Sequence, residues 1–203
     1  MKPPSSETPR EFLNELKVEI AEARDIPEIL RIADRVRLDP KDPDERKLDK
    51  GFLVYTLSSE QYSARLNEYF TVAREGGNVD GFLMCYNRAF LHQLIESGAI
   101  AHEDGITEFI QKEESEDDFI FGDQIGIDYT NGRKGVGTKL MKDLFEKMKA
   151  KGIKKMYVAV LHEPVKNDVS QSFCQSLGAK VVTEVQNKDG LRWGIYKFEI
   201  QKD

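Results

Sequence analysis

The stretch IGIDYTNGRKGVGTKLMKDLFEKMK, residues 125–149, sets three glycines and two cations (Gly132, Arg133, Lys134, Gly135, Gly137) between a β-like run and an amphipathic helix. A glycine-rich loop at a helix N-terminus exposes backbone N–H groups that have no intrahelical partner, and the helix dipole adds partial positive charge there. The pattern is that of a phosphate cradle. Its neighbours decide which one. A P-loop puts Lys directly after its second glycine and Ser/Thr next, whereas this chain reads Thr138 then Lys139. The dinucleotide fingerprint fails as well, because Leu140 stands where a third glycine is required after Gly135-Val136-Gly137.

The helix that follows carries Val136, Leu140, Met141, Leu144, Phe145 and Met148 at helical spacing and runs out near Gly152, with lysines in its last turn. Upstream, FIFGDQIGIDY alternates as a strand. EYFTVAREGGNVDGFLMCYN reads as a hairpin, with Tyr69 to Ala73 and Val79 to Tyr86 joined by a Gly76-Gly77-Asn78 turn. Residues 88–113 between them read as one or two helices, and an acidic run, 113–118, follows. Near the N-terminus, LKVEIAEARDIPEILRIADRV switches from alternation to helical spacing at Asp25. With Glu28 three residues on and Pro27 in the first turn, this predicts a capping-box helix start. Serines at 58 and 59 cap a further short helix. After the loop helix come a buried-type strand KKMYVAVL, a short helix closed by Gly178, and a final hairpin. The predicted order is β-α-α-β-β-(α)-β-α-β-α-β-β, with no internal repeat.

Composition bounds the function. A chain of 203 residues with 39% hydrophobic content suits one packed domain. A net charge of −6 argues against general affinity for nucleic acid. Cys85 and Cys174 are far apart and lack zinc-ligand spacing, as a reduced chain without a metal site would have them. No apolar run is long enough to span a bilayer, and MKPPSSETPREF has no apolar segment behind its lysine. The expectation is a cytoplasmic protein with no membrane partner and a loose tail over residues 1–16.

Gly135-Val136-Gly137, in the order Gly132-Arg133-Lys134-Gly135-Val136-Gly137, resembles the coenzyme A pyrophosphate signature of the GCN5-related N-acetyltransferase (GNAT) superfamily, Gln/Arg-x-x-Gly-x-Gly/Ala. Gly132 departs from it at the first position. VDGFLM (79–84) is similar to the family's third strand. Asn167-Asp-Val-Ser170-Gln-Ser-Phe173-Cys174-Gln-Ser-Leu-Gly178-Ala179 is similar to its Asn-x-x-Ala-x-x-Phe-Tyr-x-x-x-Gly-Phe segment. The resemblance runs from about residue 17 to 200. It implies an α/β (α+β) GNAT fold, with a twisted, mixed but mostly antiparallel sheet of about six to seven strands flanked by helices. One domain would cover 17–203, with an insertion of helical and acidic character at 88–117 between strands 3 and 4.

The resemblance also implies an activity, the transfer of an acetyl group from acetyl-CoA to a primary amine of a small molecule or peptide by direct attack, with no metal. The alternative is a non-catalytic acyl-CoA-binding module with a sensing or structural role. Arg133, Lys134, Gly135, Val136, Gly137 and Thr138 would hold the pyrophosphate. Ile125, Gly126 and Ile127 would run beside the pantetheine arm, and Asn167 and Phe173 would border the coenzyme. Glycines within a strand mark either close backbone approach or tight packing, and both readings stand for Gly122 and Gly126. Asp123, on the face of Ile127 by strand alternation, and His162 are the candidate general bases. Cys174 stands where the family carries a tyrosine acid; it is either that acid or a buried small hydrophobe, with Tyr129, Tyr157 or water in its place. Asn167 is equally readable as a helix-cap amide. The acidic run would attract a cationic acceptor or simply be solvated. A homodimer is compatible with the sequence.

Overall fold

A computed structural model describes residues 16–100, 105–112, 118–131 and 135–201. Seven strands form a single sheet in the order β1-β2-β3-β4-β5-β7-β6. They are β1 (Lys17–Ile20), β2 (Phe70–Glu75), β3 (Asn78–Asn87), β4 (Phe119–Ile127), β5 (Lys155–Glu163), β6 (Lys180–Gln186) and β7 (Arg192–Glu199). All neighbours are antiparallel except β4 and β5. The helices are α1 (Ile26–Val36), α2 (Ser59–Ser63), α3 (Arg88–Glu96), α4 (Gly105–Lys112), α5 (Val136–Lys151) and α6 (Asp168–Ser176). The predicted element order is observed, including the two helices inserted between β3 and β4.

The sheet is covered on both faces. Ile29 and Ile32 of α1, Tyr62 of α2, Leu91 of α3 and Ile110 of α4 pack with Phe70, Phe82 and Phe121. On the other face Leu140, Met141 and Leu144 of α5 and Cys174 of α6 pack with Leu83, Ile120, Met156 and Phe198. Both cysteines are free and buried. The polar stretch after α1 is held down by Leu38 and Phe52, which share a small cluster with Leu161 and Leu191. No helix among the described residues is long and apolar enough to cross a membrane.

The helix starts obey the expected chemistry with one correction. Ser58 and Gln61 form the capping box of α2, and α1 begins at Ile26 with Pro27 in its first turn. The box expected from Asp25 and Glu28 does not form. The Asp25 Oδ2 accepts from Glu22 N at 2.9 Å while its Oδ1 takes Arg74 at 2.6 Å. Glu28 instead accepts Val79 N from β3 at 2.9 Å. Partners about fifty residues away outcompete the local bond, because they bring a charge and an otherwise unsatisfied strand amide.

Two features shape the centre of the sheet. First, β4 and β5 pair only over Phe119–Gly122 against Lys155–Val158. Beyond Gly122, β4 stays with β3 as far as Gly81↔Ile127, while β5 stays with β7, so the sheet opens as a wedge. Second, β4 carries a bulge at the point of divergence: Met84 faces Gln124 and Cys85 faces Gly122, which leaves Asp123 as the extra residue.

The bulge reverses one expectation. Asp123 bonds Tyr86, and Gln124 bonds Tyr62, both of the α1–α4 face, whereas Ile125 and Ile127 pack with the α5 cluster. Asp123 therefore lies opposite Ile127, not beside it. The strand glycines are explained by packing. A Cβ on Gly126 would sit 2.4 Å from Phe82 Cε1, and one on Gly122 would sit 2.8 Å from Met156 and Val158.

At the far end of β4, Asp128 is 2% exposed and ties the strand to α1. It accepts Arg31 at 2.6 Å and Arg35 at 2.7 Å, and Thr130 Oγ1 also donates to it at 2.6 Å. Burial alone would raise its pKa, but the bonds from Thr130, Arg31 and Arg35 prevail and hold the carboxyl below the usual carboxylate range. A depressed carboxyl contributes stability that is present above its unfolded pKa and lost as pH falls through the folded one. Replacing Asp128 with Asn is expected to cost about 2 kcal/mol at pH 7. Thermal melts should show the wild type keeping this advantage over the variant down to about pH 4, the unfolded carboxylate range, and the advantage shrinking progressively at lower pH. Gly126→Ala is expected to cost about 2–3 kcal/mol in urea denaturation by overpacking. Combining it with Phe82→Leu should cost less than the sum of the two single changes.

Candidate active site

The wedge between β4 and β5 holds two adjoining cavities. The first, about 450 Å³, is a groove at the N-terminus of α5, lined by Lys50, Gly51, Ile127, Tyr129, Gly135 and Thr138 among others. The second, about 400 Å³, lies beneath the inserted helices; Leu57, Arg65, Leu91, Ile106, Asp123 and Trp193 contribute to its wall. Phe52, Ile125, Ser170 and Phe173 line both.

The groove owes its shape to the glycines. Gly135 caps α5 with φ +91°, a left-handed conformation that favours glycine. The Lys139 amide bonds the Gly135 carbonyl at 2.9 Å, so the helix ladder starts there and the amides of Val136, Gly137 and Thr138 precede it. A Cβ on Gly137 would come 3.3 Å from the Phe173 ring, so its absence lets α6 close against α5. Lys50 is the one charged side chain among the described residues lining this groove, and its ammonium stands 4.8 Å from the centre of the Tyr129 ring. Sequence reasoning missed Lys50, which arrives from a polar loop with no motif of its own. Gly132, Arg133 and Lys134 lie outside the described residues.

Asp123 sits in the wall of the second cavity. Solvent reaches it through the cavity, yet protein atoms surround it, and that surround governs its ionisation. Burial pushes its pKa up, while the hydrogen bond from Tyr86 and the charge of Arg65 pull the other way without cancelling the rise. Tyr86 Oη donates to Oδ2 at 2.6 Å and fixes the carboxylate. Arg65, 3% exposed, donates to the Gln61 carbonyl at 2.9 Å and the Ala99 carbonyl at 2.8 Å. Behind them, Gln124 accepts from Tyr62 at 2.8 Å and donates to the Tyr55 carbonyl at 3.0 Å, pinning the strand to the loop over it. Tyr86 and Arg65 carry no local sequence signal, because they meet Asp123 only through the fold.

The other expected site residues divide. Ile125, Ile127, Gly135, Gly137, Thr138 and Phe173 line the groove, whereas Gly126 and Val136 line neither cavity, Val136 being buried in the α5 core. Asn167 is buried, caps α6 through Ser170 N at 3.2 Å, and donates to the Phe52 carbonyl at 2.9 Å. Its side chain is thereby committed to the protein. Cys174 lines the second cavity with its thiol pushed up to about 12 by burial. Tyr157 is buried against Phe109 and Phe119.

His162 lies apart from both cavities. It occupies a bulge of β5 opposite β7, with Nδ1 2.7 Å from Glu184 and Nε2 3.0 Å from Tyr196. Its ring covers Gly194 so closely that a Cβ there would be 2.3 Å away. No group of side chains that could hold a metal ion is present among the described residues.

Comparison with functionally curated proteins finds no significant sequence match. Solved structures share the fold. The ribosomal-protein-S18-alanine N-acetyltransferase from Escherichia coli superposes with TM-score 0.61 at 14% identity, over 93% of this chain and 96% of that one. The Salmonella typhimurium protein yncA with its cofactor acetyl-CoA gives 0.57 at 15%, over 94% and 96%. A polyamine N-acetyltransferase from Drosophila melanogaster gives 0.60 at 11%, over 91% and 100%. The acetyltransferase (GNAT) family model spans residues 36–179, from the end of α1 past Gly178 and so across the groove and most of the second cavity's wall, and this chain belongs to that family.

Proposed function

We propose that the protein transfers an acetyl group from acetyl-CoA to a primary amine by direct attack within a ternary complex. The observation that carries this reading is the Asp123 bulge, which presents a fixed carboxylate at the divergence of β4 from β5.

The groove fits a phosphorylated coenzyme. Its helix end offers free amides, Gly137 places no side chain over them, and Lys50 adds a cation. Acetyl-CoA would supply the activated acyl group there. The amides of Val136, Gly137 and Thr138, the Thr138 hydroxyl and Lys50 would hold its pyrophosphate, with Lys50 taking over from the side chain missing at Gly132. The edge of β4 at Ile125 and Ile127, released by β5, would run beside the pantetheine arm.

In the second cavity Asp123 accepts the proton that the amine loses, and the nitrogen bonds to the acyl carbon as the carbon–sulfur bond breaks. A carboxyl raised by burial is a stronger base than a solvated one, and Tyr86 holds Oδ2 so that Oδ1 faces the acceptor. The departing sulfur takes its proton from water, and the proton on Asp123 passes back to solvent to replace it. A Cys174 thiol at about 12 is a weaker acid than an unperturbed thiol near 8.5 and fits a packing role.

Asp123→Asn is expected to lower kcat about 10²- to 10³-fold in a free-thiol release assay while leaving the acetyl-CoA Kd unchanged. Because the base must be ionised, kcat/KM should rise with pH through a limb lying above the ordinary carboxylate range. Tyr86→Phe should move that limb higher, since it removes a bond to the ionised form. Lys50→Met should weaken acetyl-CoA binding about fivefold and flatten its salt dependence. Acetyl-pantetheine, which lacks the pyrophosphate, should be used equally by the variant and the wild type.

A further inference from the structure

The second cavity carries the outline of its acceptor in the groups it leaves unused. Most of its wall is apolar, with Leu57, Leu91, Ile100, Ile106 and Ile110 on the side of the inserted helices. Most polar side chains in the wall are already committed. Tyr55 Oη donates to Asp189 at 3.1 Å and accepts from Asn187 at 3.2 Å, and Gln124 and Asn167 are engaged at both ends. Only two charged residues, Asp123 and Arg65, line the cavity among the described residues. Arg65 Nε has no hydrogen-bond partner, and neither has Trp193 Nε1 in the same wall. Both of these orphan groups are donors.

The charges constrain the ligand further. When Asp123 takes the amine's proton it becomes neutral, and the buried Arg65 guanidinium loses the one anion that, among the described residues, shares its cavity wall. An uncompensated buried cation is costly, so a substrate bearing its own anion removes that cost at the moment it arises. A second amine on the acceptor would do the reverse, setting donor against donor and cation against cation.

Resting on the transferase reading above, we propose that the acceptor is a small primary amine bearing a carboxylate and an apolar body, in effect an apolar amino acid, with Arg65 answering its carboxylate and Asp123 its amine. Arg65 then acts as the specificity determinant and Asp123 as the base. A polyamine fits the same cavity poorly. A peptide N-terminus, which offers a neutral carbonyl in place of the carboxylate, meets the guanidinium without matching its charge.

Titration calorimetry on the full chain, with and without saturating coenzyme A, tests this using L-leucine, L-leucinamide, leucyl-glycyl-glycine and spermidine as probes. L-Leucine is expected to bind at least about tenfold more tightly than each of the others. Arg65→Met should abolish its advantage over the amide while leaving acetyl-CoA affinity unchanged. Arg65 also supports two backbone carbonyls, so Arg65→Lys, which keeps the charge, serves if the Met variant fails to fold; it should retain a reduced preference for the acid. Equal binding of the acid and its amide by the wild type, tighter binding of the peptide or spermidine, or no binding of L-leucine overturns the proposal. Free-thiol release measured alongside separates the two readings. Acetyl-CoA binding without thiol release from any amine would sink the transferase assignment, while a preference for L-leucine over L-leucinamide would still uphold the recognition by Arg65.

Discussion

The structure depends on a pairing that stops. Four residues of β4 run parallel to four of β5, and after Gly122 the two strands part, each retained by its other neighbour. A sheet interrupted in its interior must find other cover for the polar edges it exposes. Here the helices close over the gap from both faces, and the cavities between them are what remains uncovered. The bulge at Asp123 lies where the strands separate, and the extra residue is free to turn its carboxylate into the gap because no partner across the ladder claims it.

Around this opening the protein divides its labour by face. Among the described residues the groove draws on Ile125 and Ile127 at the end of β4, Tyr129 just beyond it, and Gly135, Gly137 and Thr138 at the start of α5, with Lys50, Gly51, Phe52 and Phe173 closing it. The second cavity is assembled from β4, β5, α3, α4, α6, the loop at 52–57, Arg65 just after α2, and Asn187 and Trp193 of the β6–β7 hairpin, elements scattered over most of the chain. This explains how much of the site could be read from sequence. The loop and helix at 132–151 announce themselves because glycine conformation, dipole and amphipathic spacing are local properties. The order of elements was legible for the same reason.

What stayed hidden depended on distant partners. Alternation puts Asp123 with Ile127, and only the register against Met84 and Cys85, some forty residues upstream, reveals the extra residue that turns it to the opposite face. Asp25 and Glu28 satisfy a local capping pattern, yet Arg74 and the Val79 amide claim them. Tyr86 and Arg65 look in the sequence like an ordinary strand aromatic and an ordinary surface cation. Their burial beside Asp123 gives them chemistry. His162, at the end of a strand near the right place in the chain, turns instead toward Glu184 and Tyr196.

The four residues shared by the two cavities, Phe52, Ile125, Ser170 and Phe173, have a thermodynamic consequence. They form a common partition, and Phe52 is itself held by the Asn167 amide at the head of α6. A ligand that shifts this partition on one side alters the room on the other. Linkage requires such an effect to be reciprocal, so a ligand in one cavity would change the affinity for a ligand in the other by the same factor as the reverse. Any coupling between the two cavities would thus pass through these four residues, with no need for a moving domain.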